Sequence, residues 1–359
     1  MTSRRSLLGV AGGLAAGLSV AADSARTSTF TPVHAKPGDP RQIWTQKPKK
    51  YLLCVAVDLV PSVTSPFSAG IGQIKEGLDR ARGENISASV GLGRSLFFRK
   101  AASFRPIHLK SMPSFSGDLL DESQAHGDAL VHLEGDNASN LAGAANKILL
   151  SMPAWRERWR IDGFRRKNEN RDGKWLTRNL FHFLEGFGNP DNARELFDYS
   201  AVSPGSGEPA WANGGSYQVI RIVRFSTDFW DKDPVHEQER IMGRRRDGRW
   251  LDGTPSTEQP NFAADPHGRA TPLDSHVRLA VPDRRNPPPM VRRSYSYDRG
   301  DGDSGLIFSC FQRDLMQGFE TVQRRLEGER LAKYILTIGG GYFFVPPPGN
   351  GWIEALSHT

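Results

Sequence analysis

Tyr51-Leu52-Leu53-Cys54-Val55-Ala56-Val57 is a short, unbroken apolar run. Its length suits a strand buried on both faces. Downstream, Ile71, Ile74, Leu78 and Ala81 recur at spacings of three and four, which predicts a helix. Strand-like runs follow at Ser87 to Leu92 and Ala129 to Leu133. Asn137 is placed to cap a second helix that carries Leu141, Ala145, Ile148 and Met152 on one face. Trp155 to Ile161 then reads as a strand, with Arg156, Arg158 and Arg160 alternating outward.

The same order returns in the second half. Tyr217 to Phe225 is a strand with Val219, Arg221 and Val223 on one face. Asp233-Pro234 predicts a helix start, with Asp at the cap and Pro at the first helical position. His276 to Val281 and Leu306 to Phe311 read as strands, Leu315, Phe319, Val322 and Leu326 as a helix face, and Tyr342 to Val345 as the last strand. Both halves read βαββαβ, the split motif of ferredoxin-like folds. The expected fold class is α+β: two ferredoxin-like domains with antiparallel sheets. The expected division is a leader over 1–28, an extended Pro-rich arm over 29–49, domains over 50–165 and 215–350, and a loop-rich bridge over 166–214. Irregular stretches as long as that bridge tend to carry function.

Composition agrees with a globular protein. The 359 residues are 38% apolar and 24% charged, with 37 Gly and 24 Pro, loop-rich yet below the ~25–30% Gly plus Pro of low-complexity chains. Two cysteines, Cys54 and Cys310, exclude a disulfide scaffold and a thiolate-only zinc site. Both sit in apolar runs and read as buried free thiols, with one long-range disulfide as the alternative. The net charge of +7 is local. Arg4, Arg5, Arg26, Lys36, Arg41, Lys47, Lys49 and Lys50 face only Asp23 and Asp39 in the first fifty residues, and the folded remainder is nearly neutral. Nucleic acid is therefore discounted as a partner.

Ser3-Arg4-Arg5-Ser6-Leu7-Leu8 opens an apolar stretch reaching Ala22, with small residues at Ser19 to Ala22 for cleavage. This predicts a signal peptide of the twin-arginine type and an exported protein in the periplasm, cell envelope or outside the cell. A membrane anchor is the competing interpretation, but the run is shorter than the ~20 strongly apolar residues of a span and is diluted by Gly. The protein is not expected to be integral to a membrane.

Most of the nine His residues lie in loops or termini, and His132, inside a strand, reads as a satisfied structural histidine. No His-x-His or His-x-x-x-His pair supports a multi-histidine metal site. Gly302-Asp303-Ser304-Gly305 imitates a protease nucleophile loop but reads as a turn before a strand, and Gly91-x-Gly93 is a lone glycine pair. Two stretches carry more. Thr177-Arg178-Asn179-Leu180-Phe181-His182-Phe183-Leu184-Glu185-Gly186-Phe187-Gly188-Asn189-Pro190 sets a carboxylate beside Gly among aromatics; taken alone, Glu185 is one more loop acid. Asp274-Ser275-His276-Val277-Arg278-Leu279-Ala280 precedes Met290-Val291-Arg292-Arg293-Ser294-Tyr295-Ser296-Tyr297. On a strand, His276 and Arg278 would share a side, which suits a lone axial iron ligand beside an anionic group.

Together with Phe104-Arg105-Pro106-Ile107-His108-Leu109, Gly214-Gly215-Ser216-Tyr217, Gly305 to Gln312 and Gly339 to Phe344, these stretches resemble the dye-decolourising peroxidase family of haem proteins. They are most similar to its exported branch, also called deferrochelatase/peroxidase. The resemblance runs from Tyr51 to Pro348. It implies two ferredoxin-like domains with haem b (iron protoporphyrin IX) held mainly by the second. It implies His276 as the proximal iron ligand, Arg292 as the distal arginine, and Glu185 in the place of the distal carboxylate of a Gly-x-x-Asp-Gly motif. Leu306 and Phe308 match the apolar shield of the distal face, Glu329 the acid that orients the proximal imidazole, and Arg278 a propionate partner.

Two departures stand out: Glu185 replaces the motif's Asp, and His182 replaces its first Gly, either as a rival distal base near the haem or, in the preferred reading, without touching iron. The shortened turn before Arg292 leaves open which of Arg292 and Arg293 faces the haem. The resemblance implies hydrogen peroxide and small organic, dye-like or phenolic electron donors as substrates, and iron-uptake partners. A carboxylate base, with an ordinary pKa of ~4.3 against ~6.5 for imidazole, implies an acidic activity optimum. Tyr295, Tyr297, Trp211 and Trp230 are candidates for relaying electrons to bulky donors. The alternative function is an exported haem-binding or iron-acquisition protein with little turnover.

Overall fold

The computed structural model describes residues 36–60, 67–82, 86–99, 104–171, 174–284 and 286–357. The expected leader and the start of the arm lie outside the described residues. The apolar run at Tyr51 forms β1 (Tyr51–Leu59), followed by α1 (Phe67–Arg82), β2 (Ser87–Gly93), β3 (Ala129–Gly135), α2 (Ala138–Leu150) and β4 (Trp155–Phe164). Asn137 caps α2, its side-chain oxygen accepting from the Asn140 N–H. The bridge carries a small antiparallel sheet of β5 (Arg166–Arg171), β6 (Lys174–Arg178) and β7 (Leu184–Glu185), and then α3 (Ala193–Ser200). The second half runs β8 (Ser216–Phe225), α4 (Thr227–Trp230), α5 (Val235–Met242), α6 (His276–Ala280), β9 (Val291–Arg292), β10 (Tyr295–Asp298) and β11 (Ser304–Gln312). A π-turn at Met316–Glu320, α7 (Thr321–Arg325), β12 (Ile335–Val345) and α8 (Gly351–Ser357) complete it.

Strand order is β4-β1-β3-β2 in the first half and β12-β8-β11-β10 in the second, with antiparallel ladders throughout. Each half therefore has the order 4-1-3-2 of its own strands. The halves do not keep separate sheets. β2 pairs with β12, and β10 pairs with both β4 and β11, so the ladder closes on itself. Closure gives each half's outer strands a partner, removing edges that would otherwise expose unpaired backbone groups. A sequence reading of each half alone contains no signal for these joins.

Alternation along the strands separates two compartments. Leu52, Cys54 and Ala56 pack inside the barrel with Trp159, Ile220, Tyr295 and Ile307. Leu53, Val55 and Val57 face outward, against Ile71, Ile74, Leu141 and Ile148 of α1 and α2. Both cysteines are buried and free.

Two expectations are corrected here. His276–Ala280 is helical, not a strand; the strand that fills the second place of this half is β10, at Tyr295. At α5, Pro234 occupies the cap position, and Asp233 instead accepts a short hydrogen bond from the Tyr334 hydroxyl. No helix among the described residues is long and apolar enough to cross a membrane.

The barrel interior also holds a polar chain. Glu134 accepts from Arg293 Nε and Nη2, both at 2.6 Å, and pairs with His132 Nε2 at 3.0 Å, while His132 Nδ1 meets Gln218 at 2.9 Å. Arg293 also donates to the Gln46 and Lys47 carbonyls at 2.7 and 3.1 Å, which straps the arm to the barrel. Burial works against the Glu134 charge, but Arg293 and His132 outweigh it and hold the carboxyl far below its ordinary range. Glu134→Gln leaves a buried guanidinium uncompensated, and we expect a loss of about 3–5 kcal/mol in chemical denaturation at neutral pH. The wild-type pair contributes fully above the ordinary Glu value of ~4.3 and loses its contribution as pH falls toward the depressed native value. The gap between the two proteins should therefore narrow in acid.

Candidate functional site

The outer face of the second half is covered differently from that of the first. Between it and the bridge lies a cavity of about 760 Å³. Leu306 and Phe308, two apart on β11, share one strand face, and both line the cavity together with Val223 and Phe225 of β8. The interleaved Ile307 and Ser309 turn into the barrel and are fully buried. This alternation gives the cavity an apolar floor.

His276 opens α6 and stands in the cavity wall, its side chain still 32% accessible. Its Nδ1 lies 2.7 Å from Oε2 of Glu329, which is 6% exposed and sits at the head of the turn Arg330–Tyr334. A carboxylate can only accept, so Nδ1 carries the proton and the Nε2 lone pair is left for a ligand. Burial alone would lower the imidazole pKa; the charge and hydrogen bond of Glu329 outweigh it, and the group is raised above its ordinary value against the push of Arg244 and Arg292.

Glu185 ends β7 and lines the same cavity. Asn179 Nδ2 donates to its Oε1 at 2.7 Å. The following Gly186 has φ +116°, and a Cβ there would stand 2.4 Å from the Trp175 carbonyl oxygen, so only glycine fits. Arg292 is the cavity-side member of the arginine pair. It lies opposite Cys310 on β11, and Asn189 clamps its backbone, accepting from its N–H at 2.8 Å and donating to its carbonyl at 2.7 Å. Arg293, one residue on, turns into the barrel to Glu134.

Arg244 and Arg284 also line the cavity. Both are pushed down to about 10, chiefly by burial, and Arg284 additionally by Arg292 and Arg244. Arg244 rests against the Phe183 and Phe187 rings, and its buried Nη1 has no hydrogen-bond partner. Burial lowers Arg292 as well. The cavity thus gathers three buried guanidinium groups, with the Glu185 charge acting on Arg244. Among the described residues no cluster of three His, Cys, Asp or Glu could hold a metal ion.

The structure brings His276, Glu329, Glu185, Arg292, Leu306 and Phe308 to one cavity and leaves Arg278 out. Because residues 276–280 are helical, successive side chains turn by about 100°, and Arg278 points away from His276. Its guanidinium binds Asp265 and the carbonyls of Phe262, Asp265 and Thr271, so a role as propionate partner is corrected. His182 adopts φ +69°, a backbone conformation glycine takes easily, and pairs outward with Asp231 at 3.1 Å. Of the proposed relay residues, Tyr295 and Tyr297 fill the barrel, Trp211 packs on Phe344, and Trp230 stacks on the cavity-lining Phe181 at 4.5 Å. Arg244, Arg284, Asn179 and Asn189 were not singled out by sequence. Gly243-Arg244-Arg245-Arg246 looks like a solvated basic run, and both Asn residues lie in the 177–190 stretch without a pattern that marks them.

Comparisons with known proteins identify the family. Profiles described as Dyp-type peroxidase, N-terminal and Dyp-type peroxidase, C-terminal match residues 62–165 and 176–350. The chain belongs to the Dyp-type peroxidase family. Curated relatives include the Deferrochelatase of Yersinia pseudotuberculosis, 39% identical over 280 residues that span 74% of this chain and 64% of the relative. The Deferrochelatase of Escherichia coli K12 is 37% identical over 278 residues, 74% of this chain and 66% of the relative. The chain thus spans about two thirds of the length of these family members. Among solved structures, a DyP-type peroxidase from Streptomyces coelicolor has TM-score 0.76 at 31% identity, covering 87% of this chain and 91% of that one. Ferric DtpA from Streptomyces lividans has TM-score 0.78 at 30% identity, covering 90% and 95%.

Two outcomes follow from the site. In the ligand-free protein, the raised His276 pKa means that its pairing with Glu329 stabilises fully below the ordinary His value of ~6.5 and is lost as pH rises through the raised one. Glu329→Gln should flatten that fall in thermal unfolding followed across neutral pH. Gly186→Ala should cost about 1–3 kcal/mol in denaturation, because an L side chain there is strained and meets the Trp175 carbonyl.

Proposed function

We propose that this protein is an exported haem b peroxidase that uses hydrogen peroxide to oxidise small organic donors, dye-like or phenolic, by one-electron steps. The observation that carries this is the combination in one cavity of His276, held by Glu329 through Nδ1, and three buried guanidinium groups that form no salt bridge among the described residues. A planar iron macrocycle with two carboxylate arms fits that set. One imidazole suffices where the macrocycle supplies the other ligands, and buried cations need an anion. The volume lies within the ~300–1,000 Å³ of cofactor pockets. Family membership and the likeness to ferric DtpA support the same conclusion. The 4-1-3-2 order of each half supports two ferredoxin-like domains, over 50–165 and 215–350, with the second providing most of the cavity. Ser3-Arg4-Arg5 and the apolar run after it support twin-arginine export to the periplasm, cell envelope or medium.

His276 would hold the iron through Nε2, with Glu329 raising the basicity of the ring. Bound haem supplies an iron centre able to pass two electrons to peroxide and recover them singly from donors. Glu185 accepts the proton of the incoming peroxide on a carboxylate oxygen and returns it to the departing oxygen. Arg292 offers fixed positive charge to that oxygen, needing no reorganisation at the moment of cleavage. Leu306 and Phe308 keep this side of the cavity apolar and limit the water that competes for the proton.

The test is stopped-flow mixing of haem-loaded protein with peroxide. Glu185→Gln should keep its haem and slow the peroxide reaction by about 10²–10⁴-fold. His276→Ala should lose the native Soret spectrum. Unchanged peroxide kinetics in Glu185→Gln would remove Glu185 from its role. The Deferrochelatase relatives at 37–39% identity favour one second reading, an iron-acquisition protein with iron-uptake partners. A Soret band indifferent to peroxide, with iron-free porphyrin accumulating, would favour that reading.

A further inference from the structure

We infer that Asn179 is a positioning residue for Glu185, pinning one carboxylate oxygen so that the other is the proton acceptor. This rests on Glu185 acting as the base. Asn179 follows β6 and is only 5% exposed. Its backbone N–H donates to the Phe183 carbonyl at 3.0 Å, and its carbonyl accepts from the His182 N–H at 3.1 Å. Its Oδ1 accepts from the Phe183 N–H at 2.9 Å, and its Nδ2 donates to Glu185 Oε1 at 2.7 Å. The orientation of the amide follows from these partners. A backbone N–H can only donate and an ionised carboxylate can only accept, so Oδ1 faces Phe183 and Nδ2 faces Glu185.

A glutamate needs such a partner more than an aspartate would. It has one more methylene and one more free torsion, and a base must lie within hydrogen-bond reach of the proton it takes. The Asn179 bond fixes Oε1. No hydrogen bond within the described chain engages Oε2. Asn179 touches neither substrate nor cofactor; it acts through Glu185.

The experiment uses haem-loaded wild type, Asn179→Asp and Glu185→Gln. Two rates are followed against pH: reaction with hydrogen peroxide, and binding of cyanide, which must also shed a proton to bind iron. Asn179→Asp keeps an oxygen for the Phe183 N–H, so the turn persists, but replaces the donor with a second carboxylate. Two carboxylates at hydrogen-bond distance share a proton. We expect the acid limb of both profiles to move up by about one pH unit or more, with rates near the wild-type optimum reduced about tenfold or more and haem content unchanged. If Asn179→Asp fails to take up haem, Asn179→Ala, which withdraws the donor from Glu185, is read in the same way. Wild-type profiles in the Asn179 variant, with both rates impaired in Glu185→Gln, would overturn the positioning role while leaving the base in place. Wild-type rates in Glu185→Gln would overturn both.

Discussion

Arg292 ends the short strand β9 and Arg293 follows it directly, and their side chains go to two different compartments. Glu134 holds Arg293 inside the barrel with two bonds of 2.6 Å. With Arg293 fixed inward, Arg292 must face outward, toward the cavity. The same guanidinium draws the Gln46 and Lys47 carbonyls down onto the barrel, and residues Trp44 to Pro48 of that arm become part of the cavity wall. One buried ion pair therefore fixes a cavity cation and a length of cavity lining. A well-packed apolar replacement of both partners can match such a pair in stability. Its value to the site is directional: it removes the choice between the two arginines.

The cavity that results is poorly satisfied by protein alone. Arg244, Arg284 and Arg292 are each pushed down by burial, and Arg284 also by its two neighbours. An arrangement that opposes its own charges costs folding free energy. It persists where a ligand of opposite charge recovers the loss, because whatever binds only the native state stabilises it. The same positive field opposes protonation of His276, and Glu329 is needed to overcome it. The imidazole is thus held between a carboxylate that keeps Nδ1–H in place and favours the charged ring, and cations that discourage a second proton on Nε2. The two influences oppose each other: the first fixes the ring's orientation, and the second favours the Nε2 lone pair that a ligand needs.

Most of the framework is legible in the sequence because it is written in periodicity. The runs at Tyr51, Ala129, Tyr217 and Leu306 are strands, and the three-and-four spacing after Ile71 is a helix. The barrel's closure is not, because the pairings of β2 with β12 and β4 with β10 join strands that carry no matching local signal. His276 to Val281 shows the limit at short range: six residues with alternate apolar character fit a strand or a turn and a half of helix. Tertiary contacts decide it, with the carbonyls of Phe262, Asp265 and Thr271 gathering Arg278 away from the cavity. For the site, His276, Glu185 and Arg292 came through the family resemblance, since residue type alone left Glu185 an ordinary loop acid. Arg244 and Arg284 become functional candidates only when burial is known.

The loop from Asn179 to Glu185 carries both departures from the family motif, and their energetics differ. His182 holds φ +69°, which costs a non-glycine residue about 1–2 kcal/mol. Its outward pair with Asp231 leaves the two side chains 42% and 50% exposed, and such a surface pair returns about 0–1 kcal/mol. The pair alone does not account for the conformation. The flanking residues do: Phe181 is stacked between Phe225 at 4.0 Å and Trp230 at 4.5 Å, and Phe183 is fully buried. Each buried aromatic is worth about 1.5–3 kcal/mol, more than the strain at His182. With Phe181, Phe183 and the Asn179 bonds fixing the turn on either side, residue 182 follows the backbone rather than dictating it. Glycine is dispensable there for that reason. Gly186 is not, because the obstacle at that position is the Trp175 carbonyl, a backbone group that no neighbouring side chain can move aside.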